Sequence, residues 1–170
     1  MIFWTKMDSP LGKLLLVEED GALIQVNQSG SSRDEEGIQK TLEGIDPDVN
    51  HQDTPFLNLV EAQLQEYFAG EREHFDLKYH YHGTEFQEAV WDTIATIDFG
   101  ETLTYGEIAQ RLDRPGASRA VGNACGKNPL SIVVPCHRVL ASDGRIGGYS
   151  SGSENKKVLL ELEGITYKDN

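Results

Sequence analysis

The chain has 170 residues and a formal net charge of −13, with 38% hydrophobic and 25% charged residues. That length supports one sizeable core or two small ones, and with no run of about 18 apolar residues a membrane-spanning helix is excluded. An N-terminus without signal-peptide character, together with two cysteines, predicts a soluble protein of the reducing cytoplasm.

Strands are predicted at 1–7, 13–18 and 22–27, separated by Ser9-Pro10-Leu11-Gly12 and Glu19-Asp20-Gly21, both with turn chemistry. The polar stretch 28–37 reads as a loop. Thr54-Pro55 opens a helix whose stripe is Val60, Leu64, Tyr67 and Phe68 and which stops at Gly70. Phe75–Tyr81 is expected as a further strand, completing a small α+β domain over 1–83. From Gly83 the pattern turns helical, so 84–170 is taken as a second domain. Thr84-Glu85-Phe86-Gln87 and Thr104-Tyr105-Gly106-Glu107 each fit a capping box. The second box starts a short helix, Asp113-Arg114-Pro115-Gly116 breaks it, and a third helix follows over about 117–126. Short helix, turn and helix make a helix-turn-helix candidate.

Charge is unevenly spread. Residues 1–83 hold 16 acidic and 6 basic side chains, whereas 105–149 hold 3 acidic and 6 basic. The acidic balance argues against broad nucleic-acid binding, since phosphate contacts supply most non-specific affinity, but the basic stretch leaves room for one local face. Arg119, Ala120, Asn123 and Lys127 fall three and four apart and so share one helix face. That face suits a phosphate backbone, and taken alone it suits bulk water equally well.

The chemistry-bearing motif is Val134-Pro135-Cys136-His137-Arg138-Val139. A thiol beside an imidazole and a guanidinium is expected to have a lowered pKa, or to lose its proton to the imidazole. A buried structural cysteine is the other reading. His74, His80 and His82 lack a thiolate partner and make poor zinc ligands, so no metal is expected. With no phosphate loop or dinucleotide motif, no cofactor is expected either.

Taken together, Arg119-Ala120-Val121-Gly122, Lys127-Asn128-Pro129, Pro135-Cys136-His137-Arg138-Val139, Gly148-Tyr149-Ser150 and Glu163-Gly164 resemble the O6-alkylguanine-DNA alkyltransferases, also called methylated-DNA–protein-cysteine methyltransferases. The resemblance is dense from Thr84 to Gly164. It implies a ribonuclease-H-like α/β N-terminal domain followed by a mainly helical, winged-helix-like domain.

For function it implies that Cys136 irreversibly takes the alkyl group from O6 of guanine in double-stranded DNA, with O4-alkylthymine a second candidate adduct. His137 is then the base acting through a water, Glu163 its orienting carboxylate, and Tyr105 the donor toward N3. Asn128 braces the loop before the nucleophile, and Arg119 fills the stack once the nucleotide turns out. Ala120, Asn123, Lys127 and Arg138 complete the DNA-binding set, Tyr149, Ser150 and the backbone near Val139 form the base pocket, and binding is from the minor groove by a monomer.

Physics supports the assignment. A group on O6 lies inside the stack, so the nucleotide must be extruded, and an acid that protonates departing guanine lowers the barrier. Two features depart from the family pattern: Cys125, read as a packed helix thiol, and Ser151, which interrupts a Gly-Gly. Alternatives are an alkyltransferase-like binder without transfer, a cysteine hydrolase and a plain helix-turn-helix regulator. The binder group lacks the acceptor cysteine, and the regulator leaves Pro-Cys-His-Arg unexplained.

Overall fold

Residues 1–28, 50–149 and 152–170 are described by the computed structural model, and they divide into two units, Met1–His80 and Tyr81–Asn170. Gly83, the boundary expected from the sequence, falls just inside the second unit. The segment read as a polar loop lies, from residue 29 onward, outside the described residues, as do Ser150 and Ser151.

In the first unit β1 (Ile2–Ser9), β2 (Gly12–Glu19) and β3 (Ala22–Gln28) form an antiparallel meander. Asp20 and Gly21 both take positive φ, 51° and 78°, the pair of left-handed residues that a two-residue hairpin turn requires. Leu14, Leu15, Leu16 and Val17 are all buried, so β2 reads as an apolar run rather than an alternation because both its faces are covered. A two-residue β4 (Asn50–His51) pairs in parallel with β1 and gives the sheet order β3-β2-β1-β4. Helix α1 (Pro55–Phe68) packs on β1 and β2. Its cap Thr54 accepts from the Leu57 N–H at 3.0 Å, and proline occupies the first helical position. The strand expected over 75–81 reduces to a single bridge, Leu23 to Tyr79, flanked by backbone hydrogen bonds of 2.9 and 3.1 Å.

The second unit is built on helices. Both predicted capping boxes form, at the starts of α2 (Glu85–Ile94) and α3 (Tyr105–Arg111). Trp91 of α2 is buried and donates from Nε1 to the Ala124 carbonyl at 2.9 Å, tying α2 to α4 (Ser118–Gly126). A side chain at Gly83 would meet the Trp91 ring at 2.7 Å, so glycine is required there. Asp113 at φ 58° closes α3, with the Arg114 N–H donating back to the Ala109 carbonyl at 2.9 Å. Helices α3 and α4 pack as the expected helix-turn-helix.

A short parallel pair, β5 (Leu103–Thr104) with β6 (Val139–Leu140), then sets the site. β5 runs directly into Tyr105, and β6 follows directly on the 3-10 turn Cys136–Arg138. Tyr105 thus follows the C-terminal end of this pair and Cys136 precedes its N-terminal end, and the two residues, far apart in sequence, line one cavity. Helix α5 (Ser153–Leu162) packs against that turn and delivers Glu163 at its C-cap.

Candidate active site

Cys136 is reached through a strained loop. Ile132, a β-branched residue, holds φ at 74°, a conformation that costs on the order of 1–3 kcal/mol unless its surroundings enforce it. They do. Asn128 accepts from the Leu130 N–H at 2.9 Å through Oδ1, while its Nδ2 donates to the Val134 carbonyl at 2.9 Å and to Cys136 Sγ at 3.2 Å. One amide thus clamps both ends of the loop and the sulfur itself.

Behind the sulfur lies a buried ionic cluster. His137 Nε2 and Glu163 Oε2 are 2.6 Å apart. Arg138 donates to the same carboxylate from Nε at 2.8 Å and from Nη2 at 3.1 Å, and to the Ile97 carbonyl at 2.6 Å. The Gly100 N–H adds a further bond to Glu163 at 3.0 Å. Burial pushes the His137 pKa down from its ordinary value, against the opposing pull of Glu163, so the ring is neutral at pH 7. A neutral ring that donates from Nε2 to a carboxylate carries its lone pair on Nδ1. His137 Nδ1 is buried and has no hydrogen-bond partner among the described residues.

This cluster corrects one sequence expectation. Arg138 is not on the DNA-facing surface; it is 6% exposed and committed to Glu163. The 3-10 turn aims both His137 and Arg138 inward at the end of α5. With that guanidinium neutralised, the lowered thiol pKa expected at Cys136 does not follow either. Its hydrogen bond to Cys125, then burial, push the Cys136 thiol well up, and the same bond pushes Cys125 down. Cys125 is the less buried partner and holds charge more easily.

In front of the sulfur opens a cavity of about 580 Å³, within the size range of small-molecule sites. Its walls include Tyr105, Arg119, Asn123, Cys125, Cys136 and Tyr149. Burial raises the Tyr105 pKa to about 12, against the opposing pull of the Gly148 backbone, so the phenol keeps its proton. Gly147 at φ 73° leaves room for that phenol, since a Cβ there would lie 2.8 Å from Oη. Arg119, Ala120, Asn123 and Lys127 are all exposed on α4 and at its C-terminal end, opposite buried Val121 and Ala124. Val139 is fully buried and is not part of the cavity wall; its carbonyl accepts from Lys156 at 2.6 Å. Ser150 lies outside the described residues.

One residue escapes the sequence reading and another is placed differently by the structure. Lys156 is fully buried on α5, donates also to the Gly148 carbonyl at 3.1 Å, and sits 5.8 Å from the Tyr105 ring centroid. Burial lowers its pKa to about 8, opposed by both cysteine sulfurs. Its signal is periodicity: Lys156, Leu159, Leu160 and Glu163 share one inward stripe. Cys125 is the other, a wall residue in contact with the Cys136 thiol rather than a packed helix thiol.

Comparison with known proteins gives one family. The model for the ribonuclease-like domain of 6-O-methylguanine DNA methyltransferase matches residues 2–81, and the model for its DNA-binding domain matches 85–165. A methylated-DNA–protein-cysteine methyltransferase of Methanosarcina acetivorans is 42% identical over 96% of this chain and 99% of that relative. The constitutive enzyme of the same name from Bacillus subtilis is 39% identical over 99% of both chains. Among solved structures, Mycobacterium tuberculosis OGT in complex with DNA superposes with a TM-score of 0.80 at 39% identity, covering 95% of this chain and 92% of that one.

Proposed function

The chain belongs to the methylated-DNA–protein-cysteine methyltransferases, and from that premise we propose that Cys136 is its alkyl acceptor, acting once per molecule on O6-alkylguanine turned out of duplex DNA. The enzyme repairs DNA by transferring an alkyl group to a cysteine; the assignment of residues is ours.

The observation that carries it is the join of two features at one sulfur. Cys136 faces a cavity large enough for a nucleobase, and its neighbour His137 presents a bare, buried Nδ1 while Nε2 is held by Glu163. His137 takes the thiol proton through a bridging water, as an oriented base. The sulfur attacks the alkyl carbon in line, the S–C bond forms, and the C–O6 bond breaks with its electrons passing to guanine. Tyr105, protonated at every physiological pH, donates toward N3 so that guanine does not leave as an anion. The imidazolium then returns its proton through water to the Tyr105 phenolate, so that, net, one thiol proton is exchanged for one on guanine. A thioether has no facile way to release its alkyl group, which is why one molecule repairs one lesion.

DNA approaches the exposed face of α4 from the minor groove. Arg119 fills the gap left by the extruded nucleotide, Ala120 and Asn123 allow close approach, and Lys127 contacts phosphate. Tyr149 and Ser150 flank the base, and Asn128 holds the nucleophile loop. Residues 84–170 carry this site and 1–83 the ribonuclease-like domain, acting as a cytoplasmic monomer. O4-alkylthymine fits the same chemistry.

The test is direct. After incubation with an O6-methylguanine duplex, tryptic peptide 128–138, which contains Cys136, should gain one methylene mass; recovery of that peptide unmodified with methyl still on DNA refutes the reading.

A further inference from the structure

The repair chemistry leaves one thiol of the cavity unused. The chain has two cysteines, and both are free and on the same cavity wall. Asn128 fastens their two segments together: its backbone N–H donates to the Cys125 carbonyl at 3.3 Å while its side chain donates to Cys136 Sγ at 3.2 Å. Each thiol shifts the other's proton affinity, and the Lys156 ammonium acts on both. The two thiols thus line one cavity, with one asparagine bonded to both of their segments.

We propose that Cys125 is the resolving thiol of Cys136: under peroxide the pair closes to an intramolecular disulfide, which stops alkyl transfer until a dithiol reductant reopens it. Its effect on repair rests on Cys136 being the acceptor. In the first step one cysteine sulfur attacks an oxygen of hydrogen peroxide, the O–O bond breaks, and water leaves after taking the thiol proton. That sulfur is now a sulfenic acid. The second sulfur attacks it, the S–O bond breaks, and the hydroxyl leaves as a second water with the second thiol proton. Two thiols and one peroxide thus give one disulfide and two waters, with two electrons passing from sulfur to peroxide. A dithiol returns both electrons and protons by exchange.

Cys125 is suited to meet the oxidant first, being the more exposed and the more anionic of the pair. Without a resolving partner, a sulfenic acid is carried on to sulfinic acid, which thiols do not reverse. For a protein whose acceptor sulfur serves once, that loss is permanent before any lesion is met.

The experiment treats the full chain with hydrogen peroxide, blocks free thiols in denaturant, and maps tryptic peptides with and without dithiothreitol. Expected is a cross-link between peptides 120–127 and 128–138, two hydrogens lighter than their sum. Transfer to an O6-methylguanine duplex should be lost and then restored by dithiothreitol. In Cys125→Ser, compared with its own untreated activity, the recoverable fraction should fall roughly tenfold and Cys136 should appear as sulfinic acid. Sulfinic Cys136 with Cys125 still free in the wild type overturns the pairing, as does a disulfide found only between chains or equal recovery in Cys125→Ser. A cross-linked protein that still transfers alkyl groups would instead overturn the acceptor assignment, which keeps the two failures apart.

Discussion

Replacing Glu163 by glutamine tests the buried cluster most severely. The carboxylate accepts from Arg138 Nε and the Gly100 N–H on Oε1, and from His137 Nε2 and Arg138 Nη2 on Oε2. The substituted amide would keep one oxygen, and its nitrogen would face two donors if placed at the Oε2 position. His137 can relieve that conflict by moving its proton to Nδ1, and it then no longer offers a lone pair toward Cys136. Loss of an oriented base predicts a fall in transfer rate on the order of 10²–10⁴. The charge effect is separate. Arg138 would remain buried without a counter-charge, a change of about 3–5 kcal/mol when one partner of a buried pair is removed. Urea unfolding followed by Trp91 fluorescence in a Trp4→Phe background reads the second unit alone, since each unit has one buried tryptophan. Adding Arg138→Met to Glu163→Gln should return part of the lost stability but none of the lost rate. A single variant within about 1 kcal/mol of the parent would place the pair in the screened, surface regime and refute the reasoning.

Because His137 is held neutral below its ordinary pKa of 6.5, the unfolded chain binds the extra proton; its contribution to stability is present above that pH and lost as pH falls through it. Unfolding midpoints at pH 7.5 and 5.5 should therefore converge for His137→Gln relative to wild type, and an unchanged difference between the two proteins would contradict a neutral ring. Gly147→Ala should cost about 1–3 kcal/mol from its positive φ alone and displace the Tyr105 phenol, slowing transfer; full-rate transfer with Tyr105 unmoved in a crystal structure would count against the role given to that residue. Arg119→Ala should slow repair of duplex DNA more than reaction with free O6-benzylguanine, as measured by single-turnover kinetics, and equal losses would remove Arg119 from the flipped-out state.

What is legible in the sequence is local. Turn residues at Asp20-Gly21 and capping boxes at Thr84 and Thr104 act over four residues, and the elements they bound form as read. Strands β4, β5 and β6 are two residues long and exist through pairing with distant segments, so no periodicity announces them. The expected 75–81 strand fails for the same reason in reverse: its side-chain pattern suits a strand, but among the described residues only Tyr79 finds a bridge partner. Arg138 is misplaced by sequence reasoning because a basic residue in a basic stretch reads as surface. Its burial follows from Glu163, 25 residues away, and from a 3-10 turn that no spacing rule reveals. Cys125 and Lys156 escape in a related way. Lys156 sits on an unremarked helix position, Cys125 reads in sequence as mere packing, and only the fold shows that both act on the Cys136 sulfur.

Those corrections change how the thiol is activated. Two cations lie near Cys136 in sequence or in space, and they act differently. Arg138 is neutralised by a carboxylate and serves to hold that carboxylate against His137. Lys156 donates to two backbone carbonyls rather than to a carboxylate, so its field reaches the sulfurs. The resting Cys136 is thus a protonated thiol, with the pair's negative charge more at home on Cys125. A protonated acceptor is slow to react with adventitious electrophiles. In the mechanism we propose, the nucleophile is generated when His137 removes the proton, and that transfer is productive when a base fills the cavity and excludes competing water. On the same proposal Lys156 stabilises the thiolate without pairing with it, while Tyr105, whose ring it faces, stays protonated for the leaving group. Ordering the charges this way keeps a single-use sulfur quiet until its substrate is in place.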